Sequence, residues 1–230
     1  MKTLTRRNLI GTSLAAGAVA ATDFRAASGN TENGDRLRIV AISCSPRAGR
    51  TTATSLQICL DAAQQTSERI ETELIELAGL KINGNLAAGI PLEAGERDDF
   101  PSLVPKLKAP QVRGIIIGTP VYFSNLSSLC KAFLDRCIAF YRDDLALSNK
   151  VAGALAVGGT RHGGQEVTVQ SVCASLSCQE MIVVGNGRPG ARFGATVWSG
   201  AEGGVTKDEI GLATARNLGR RVAETVLRLA

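Results

Sequence analysis

The sequence predicts an α/β protein built on a doubly wound, five-stranded parallel sheet, and three observations carry that expectation. Short apolar runs alternate with segments of helical periodicity from residue 37 to the last residues. The runs are nearly continuous in Val, Ile, Leu, Ala and Gly rather than alternating apolar and polar, as strands covered on both faces require. Aromatic residues make up 4% of the chain while glycine occurs 25 times, which suits thin strands under close-packed helices. With 44% hydrophobic and 20% charged residues over 230 positions, the chain can bury one sizeable core.

The elements follow in order. Leu37 to Ile42 reads as a strand, Thr52 to Gln65 as a helix and Glu71 to Leu77 as a second strand. After a long Gly- and Pro-containing loop, Pro101 to Leu107 reads as a short helix. Gly114 to Gly118 is the most apolar strand. Leu126, Leu129, Cys130, Phe133, Leu134 and Cys137 recur at helical spacing, giving a helix with one wide apolar face. Val151 to Val157 and Met181 to Val184 complete the five strands, separated by a helix from Gln165 to Ser177 and followed by one from Lys207 to Leu229. In such a sheet, ligands bind beyond the carboxyl ends of the strands.

The N-terminus reads as an address. "TRRNLIG" places Arg6 and Arg7 ahead of an uncharged, Ala/Gly-rich stretch that continues to Thr22, and resembles a twin-arginine export signal. Residues 1–28 are therefore expected to be the signal, 29–35 a flexible linker and 36–230 the folded domain, with an exported, periplasmic location; a basic tail on a cytoplasmic protein is the alternative. The apolar stretch is shorter than the roughly 20 residues of a membrane span, so no stable span is expected. The formal charge of +5 includes Lys2, Arg6, Arg7 and Arg25 against Asp23, a net of +3, leaving +5 − 3 = +2 for the rest. That mild excess, without basic clusters interleaved with aromatics, argues against a nucleic-acid partner.

The stretch "ISCSPRAGRTT" follows the first strand and carries the chemistry. A P-loop needs a glycine where Cys44 stands and a lysine where Arg50 stands, and Gly49 is the lone glycine of the turn, so the dinucleotide fingerprint fails as well. What remains are the hydroxyls of Ser43, Ser45, Thr51 and Thr52 with backbone N–H groups, able to surround a single terminal phosphate. An ordinary strand-to-helix turn with Thr51 as N-cap is the other reading. Two further loops fall at strand carboxyl ends: "TPVYFSNLSS" at 119–128 and "GGTRHGGQE" at 158–166.

With S-P-R-x-x-x-T, then T-P-V-Y-F, then G-G-x-x-x-G-G-Q-E, each after its own strand, the chain resembles the flavodoxin-like NAD(P)H-dependent FMN reductase family, including its iron-sulfur flavoprotein branch. The resemblance covers nearly all of residues 36–230 and implies the strand order 2-1-3-4-5. It implies FMN, its 5′-phosphate held by Ser43, Ser45, Arg47, Thr51 and Thr52, with Gly49 letting the backbone approach closely. Pro120, Val121, Tyr122, Phe123, Ser124 and Asn125 would line one side of the isoalloxazine ring, and Gly158, Gly159, Thr160, His162 and Gly163 the other. It further implies NAD(P)H or another reductant as donor, a small electron acceptor such as a flavin, quinone or nitro compound, and a homo-dimer or tetramer. No side chain is assigned as catalytic, since a flavin carries hydride and electrons itself and the protein supplies position and donors. The competing reading is an exported electron carrier or non-catalytic FMN module serving a protein redox partner. Such carriers tend to be strongly acidic for docking, which favours the enzyme.

The chain also departs from the resemblance. The iron-sulfur branch carries a cysteine cluster in the loop after the second strand, here "AGLKINGNLAAGIPLEAGERDD", which has no cysteine, so no iron-sulfur cluster is expected. The six cysteines stand at 44, 59, 130, 137, 173 and 178. Cys130 and Cys137, about 10 Å apart along one helix, are too distant for a disulfide, and most of the six read as core fillers. Cys44 is the one candidate reactive thiol, given its place before a helix N-terminus. His162 is the sole histidine, and no metal site built on imidazole is expected. It reads either as a turn residue or as a contact beside the flavin. Arg192 and Trp198 belong to a long loop, "RPGARFGATVWSG", that could reach the site.

Overall fold

The computed structural model describes residues 36–230; the expected signal at 1–28 and linker at 29–35 lie outside the described residues. The chain runs β1 (Leu37–Ser43), α1 (Thr51–Gln64), β2 (Ile70–Glu76), α2 (Val104–Lys108), β3 (Val112–Tyr122), β4 (Asn125–Leu126), α3 (Ser128–Arg136), α4 (Ile138–Tyr141), β5 (Val151–Gly158), α5 (Gln165–Ser177), β6 (Ile182–Val183), β7 (Ala195–Trp198) and α6 (Glu209–Leu229). The sheet path is β2-β1-β3-β5-β6, with β7 also on β5 and β4 on β3. Every pairing is parallel except β3–β4. With β6 and β7 sharing the last position, the parallel strands stand in the expected order 2-1-3-4-5.

Alternation along β1 divides the core into two layers. Ile39 and Ala41 face Leu56 and Leu60 of α1 and Leu218 and Val222 of α6. Val40 and Ile42 face the opposite way, into Phe100, Phe133, Phe140 and the α5 residues Val169, Val172 and Leu176. Burial on both sides is why the strands read as unbroken apolar runs.

Four expectations need correction. β3 continues beyond Gly118 to Tyr122 and turns back as β4, so Thr119 to Tyr122 are strand rather than loop. The fifth strand is not Met181 to Val184 alone: Ile182–Val183 pairs with the start of β5, the chain leaves the edge, and Ala195–Trp198 rejoins it farther along. The helix expected over 126–137 begins at Ser128, because the Ser127 hydroxyl accepts the Cys130 N–H at 3.1 Å and caps it, and it breaks after Arg136 before α4. The short helix at 101–107 is a 3-10 turn, Phe100–Ser102, followed by α2.

Candidate active site

The three loops meet at the carboxyl ends of β1, β3 and β5. Ser127 Oγ donates to the Cys44 carbonyl at 2.8 Å, and the Ser127 N–H donates to Thr119 Oγ1 at 3.1 Å, which ties the first loop to the second. The second and third touch where Gly164 lies against the backbone of Ser124.

The first loop presents an anion cradle. α1 starts at Thr51, with Arg50 in the N-cap position and no side chain capping it, so Thr51 is not the cap and the first-turn N–H groups stay open. The Arg47 guanidinium and the Thr51 and Thr52 hydroxyls have no partner among the described residues. By strand alternation Ser43 faces the side that α1 covers. Its hydroxyl is fully buried and has no hydrogen-bond partner. Ser45 is engaged locally: its Oγ accepts the Arg47 N–H at 3.1 Å and contacts the Arg47 carbonyl. Gly49, at φ +62°, donates its N–H to the Glu76 carboxylate at 2.9 Å. The loop thus already holds one negative group at its rim. A buried orphan hydroxyl, open N–H groups, a free guanidinium and a helix dipole suit one phosphate and fit FMN.

The second loop is a two-residue hairpin. Phe123 (φ +49°) and Ser124 (φ +59°) both sit in the left-handed region that a tight β3–β4 turn demands, although neither is a glycine. Pro120 is buried within β3, beside Val157, while Val121 is half-buried and Asn125 exposed. Tyr122 is 44% exposed and Phe123 wholly exposed at the tip, so neither is spent on the core.

The third loop is braced from behind. Gln165 Nε2 donates to the Thr160 carbonyl at 2.7 Å, the Trp198 indole N–H to the Gly159 carbonyl at 3.1 Å, and the Ser199 N–H to the Gly158 carbonyl at 2.9 Å. Gln165 packs so closely on Gly158 that a Cβ there would fall 2.3 Å from its Nε2. Gln165 Oε1 is buried without a partner. Asp208, 4% exposed, accepts the Trp198 backbone N–H at 2.7 Å and lies 3.6 Å from Arg161, whose guanidinium stacks 4.4 Å over the Trp198 ring. Gly159, Thr160 and His162 are exposed and Gly163 half-buried. His162 takes φ +58° and lines a small cavity of about 140 Å³ with Arg161, Arg192, Trp198 and Asp208.

Gln165, Ser127 and Asp208 are the supporting residues that local patterns did not assign. The Gln of "GGQE" is the one signal that could have flagged any of them.

The reactive-thiol reading of Cys44 is overturned. Cys44 points away from α1 into the core near Cys130 and Cys137, and burial pushes its thiol well above the ordinary range. Desolvation by burial outweighs whatever the α1 N-terminus could contribute. Burial likewise pushes Cys137 up to about 12. All six cysteines are free thiols.

A parallel sheet with an anion cradle at β1 and two further loops gathered at the ends of β3 and β5 defines an α/β protein of the flavodoxin-like class. Residues 37–195 match the NADPH-dependent FMN reductase family, and the chain belongs to that family. An iron-sulfur flavoprotein of Methanocaldococcus jannaschii is 40% identical over 83% of this chain and 97% of its own. An NAD(P)H dehydrogenase (quinone) of Trichlorobacter lovleyi is 31% identical over 74% of this chain and 84% of its own. The crystal structure of a flavodoxin, WrbA-like protein from Agrobacterium tumefaciens superposes with a TM-score of 0.57 at 19% identity, covering 84% of this chain and 98% of that one, a likeness of fold. The protein is an FMN-dependent oxidoreductase with a flavodoxin-like fold.

Proposed function

We propose that the protein takes hydride from NAD(P)H onto bound FMN and passes the electrons to a small acceptor such as a flavin, quinone or nitro compound. The observation that carries this reading is the contact of Ser124 on Gly164, which sets Tyr122 and Phe123, both exposed, beside the glycine loop. An open, aromatic-flanked face admits a nicotinamide and then a flat acceptor, and the quinone dehydrogenase relative favours that acceptor class.

FMN supplies the hydride-accepting and electron-releasing chemistry. Arg47, Thr51, Thr52 and the first-turn N–H groups of α1 hold its phosphate. Pro120 to Asn125 orient one side of the ring. Gly158, Gly159, Thr160, His162 and Gly163 offer backbone donors to the other, held in place by Gln165 and Trp198.

No cysteine lies between Cys59 and Cys130, so the loop after β2 has no thiolate for a cluster. We accordingly read this chain as a flavoprotein without iron and sulfide, despite the name of its archaeal relative. Export by the twin-arginine route, with the flavin loaded before translocation, fits Arg6 and Arg7, and a homo-dimer or tetramer fits the family.

The test is anaerobic stopped-flow mixing of the FMN-loaded protein with NADH or NADPH, followed by a quinone. Bleaching of the flavin band with turnover onto the quinone supports the reductase. Bleaching by dithionite alone overturns it and leaves an electron carrier.

A further inference from the structure

The excursion between β6 and β7 and the outer face of α6 enclose a groove of about 520 Å³ that shares no residue with the three loops. It opens midway along the sheet edge, where the chain leaves β5 after Val183 and returns at Ala195. Its side chains include Arg188, Arg220, Arg221 and Arg228 against the single carboxylate of Glu224, a net of +3.

The arginines differ in what they do. Arg220 donates to Asn217 Oδ1 at 2.8 Å and to the Arg188 carbonyl at 3.2 Å, fastening the excursion to the helix. Arg220 and Arg221 each lie 3.9 Å from Glu224, at the edge of ion-pair range. The guanidinium groups of Arg188 and Arg228 have no partner among the described residues. At the wall of the groove Asn186 is fully buried. Its Oδ1 accepts the Arg192 N–H at 2.6 Å, while its Nδ2 donor has no acceptor. A buried donor left unpaired is a standing cost that an anionic acceptor removes.

We propose that this groove binds a small phosphorylated molecule carrying at least two negative charges. Planar guanidinium forks match phosphate oxygens pairwise, and two free forks in the groove that the orphan Asn186 donor also lines supply directional contacts as well as charge. The volume suits a ligand of nucleotide size. A groove walled by the excursion on one side and the helix on the other favours such a ligand over a flat lipid surface.

The test is calorimetric titration of the full chain, saturated with FMN so that the phosphate loop is occupied, with inorganic pyrophosphate and separately with anionic-lipid vesicles. At about 50 mM salt, pyrophosphate should bind saturably at one site per chain. The double variant Arg188→Ala/Arg228→Ala removes only side chains without partners; it should weaken pyrophosphate about tenfold or more while leaving FMN affinity and the unfolding temperature unchanged. Absence of saturable binding, equal affinity in the double variant, or binding to vesicles alone overturns the proposal.

Discussion

Gly164 and Ser124 approach so closely that a methyl group on Gly164 would fall 2.5 Å from the Ser124 Cα, which makes this contact the hinge pin between the second and third loops. Gly164 also adopts φ +98° where α5 begins, a conformation that L side chains resist. Gly164→Ala should cost about 1–3 kcal/mol of stability through backbone strain. It should also weaken FMN about tenfold, because the loops must separate and the ring site loses its spacing. Urea unfolding together with flavin titration checks both. Wild-type flavin affinity in a destabilised variant would show that this contact does not set the site.

The phosphate cradle yields a contrast among three substitutions. Ser43→Ala removes an unpartnered buried hydroxyl, so the flavin-free protein should be as stable as wild type or slightly more so. Arg47→Ala and Thr51→Ala should instead leave the flavin-free stability unchanged and weaken FMN by about 1–3 kcal/mol, through lost charge-assisted bonds. Fluorescence titration of FMN separates the outcomes. Unchanged affinity in both the Arg47 and Thr51 variants would remove the phosphate assignment.

The legible parts are those governed by local rules. α5 occupies the residues its periodicity implied, and the first and third loops follow β1 and β5 as the strand ends and glycine runs placed them. The β3–β4 hairpin was hidden because its turn is Phe123–Ser124, two residues that ordinarily avoid the left-handed region and here are held by Gly164 across the site. The split fifth strand was hidden because "GNGRPG" reads as an ending, whereas the chain returns to β5 once Gly194 reaches the Ala154 carbonyl. Asp208 and Ser127 act on partners 10 and 83 residues away, and no window of sequence reports such pairs.

Burial orders the thiols. Cys44, Cys59, Cys130 and Cys137 are buried, Cys173 is half-buried with its thiol pushed up by desolvation, and Cys178 is exposed. A raised pKa lowers the thiolate fraction at a given pH, and the thiolate is the reacting form. Native protein at about pH 8 should take up iodoacetamide at Cys178 first, as mass mapping would report, with the four buried thiols protected until unfolding. Rapid labelling of Cys44 would contradict the orientation given to the end of β1.

Lys150 gives a pH dependence with a definite sign. At the start of β5 it is 7% exposed, donates to the carbonyls of Ala109 (3.2 Å) and Val112 (2.5 Å), and burial, helped by the nearby Arg113 charge, lowers its pKa from 10.5 to about 8. The unfolded chain keeps its proton up to about 10.5, whereas the folded chain releases it near 8. Between those values the unfolded state binds more protons, so the contribution of Lys150 to stability rises with pH across that window and is flat, at its least favourable, below it. The buried cysteines act in the opposite sense, because thiols raised in the fold ionise on unfolding, and total stability would hide the effect. A comparison with Lys150→Met cancels them. The stability of wild type relative to this variant should increase steadily from pH 8 to 10, as urea titrations at several pH values would measure. A difference independent of pH would mean that Lys150 titrates alike in both states and that its ammonium is not desolvated at the strand's start.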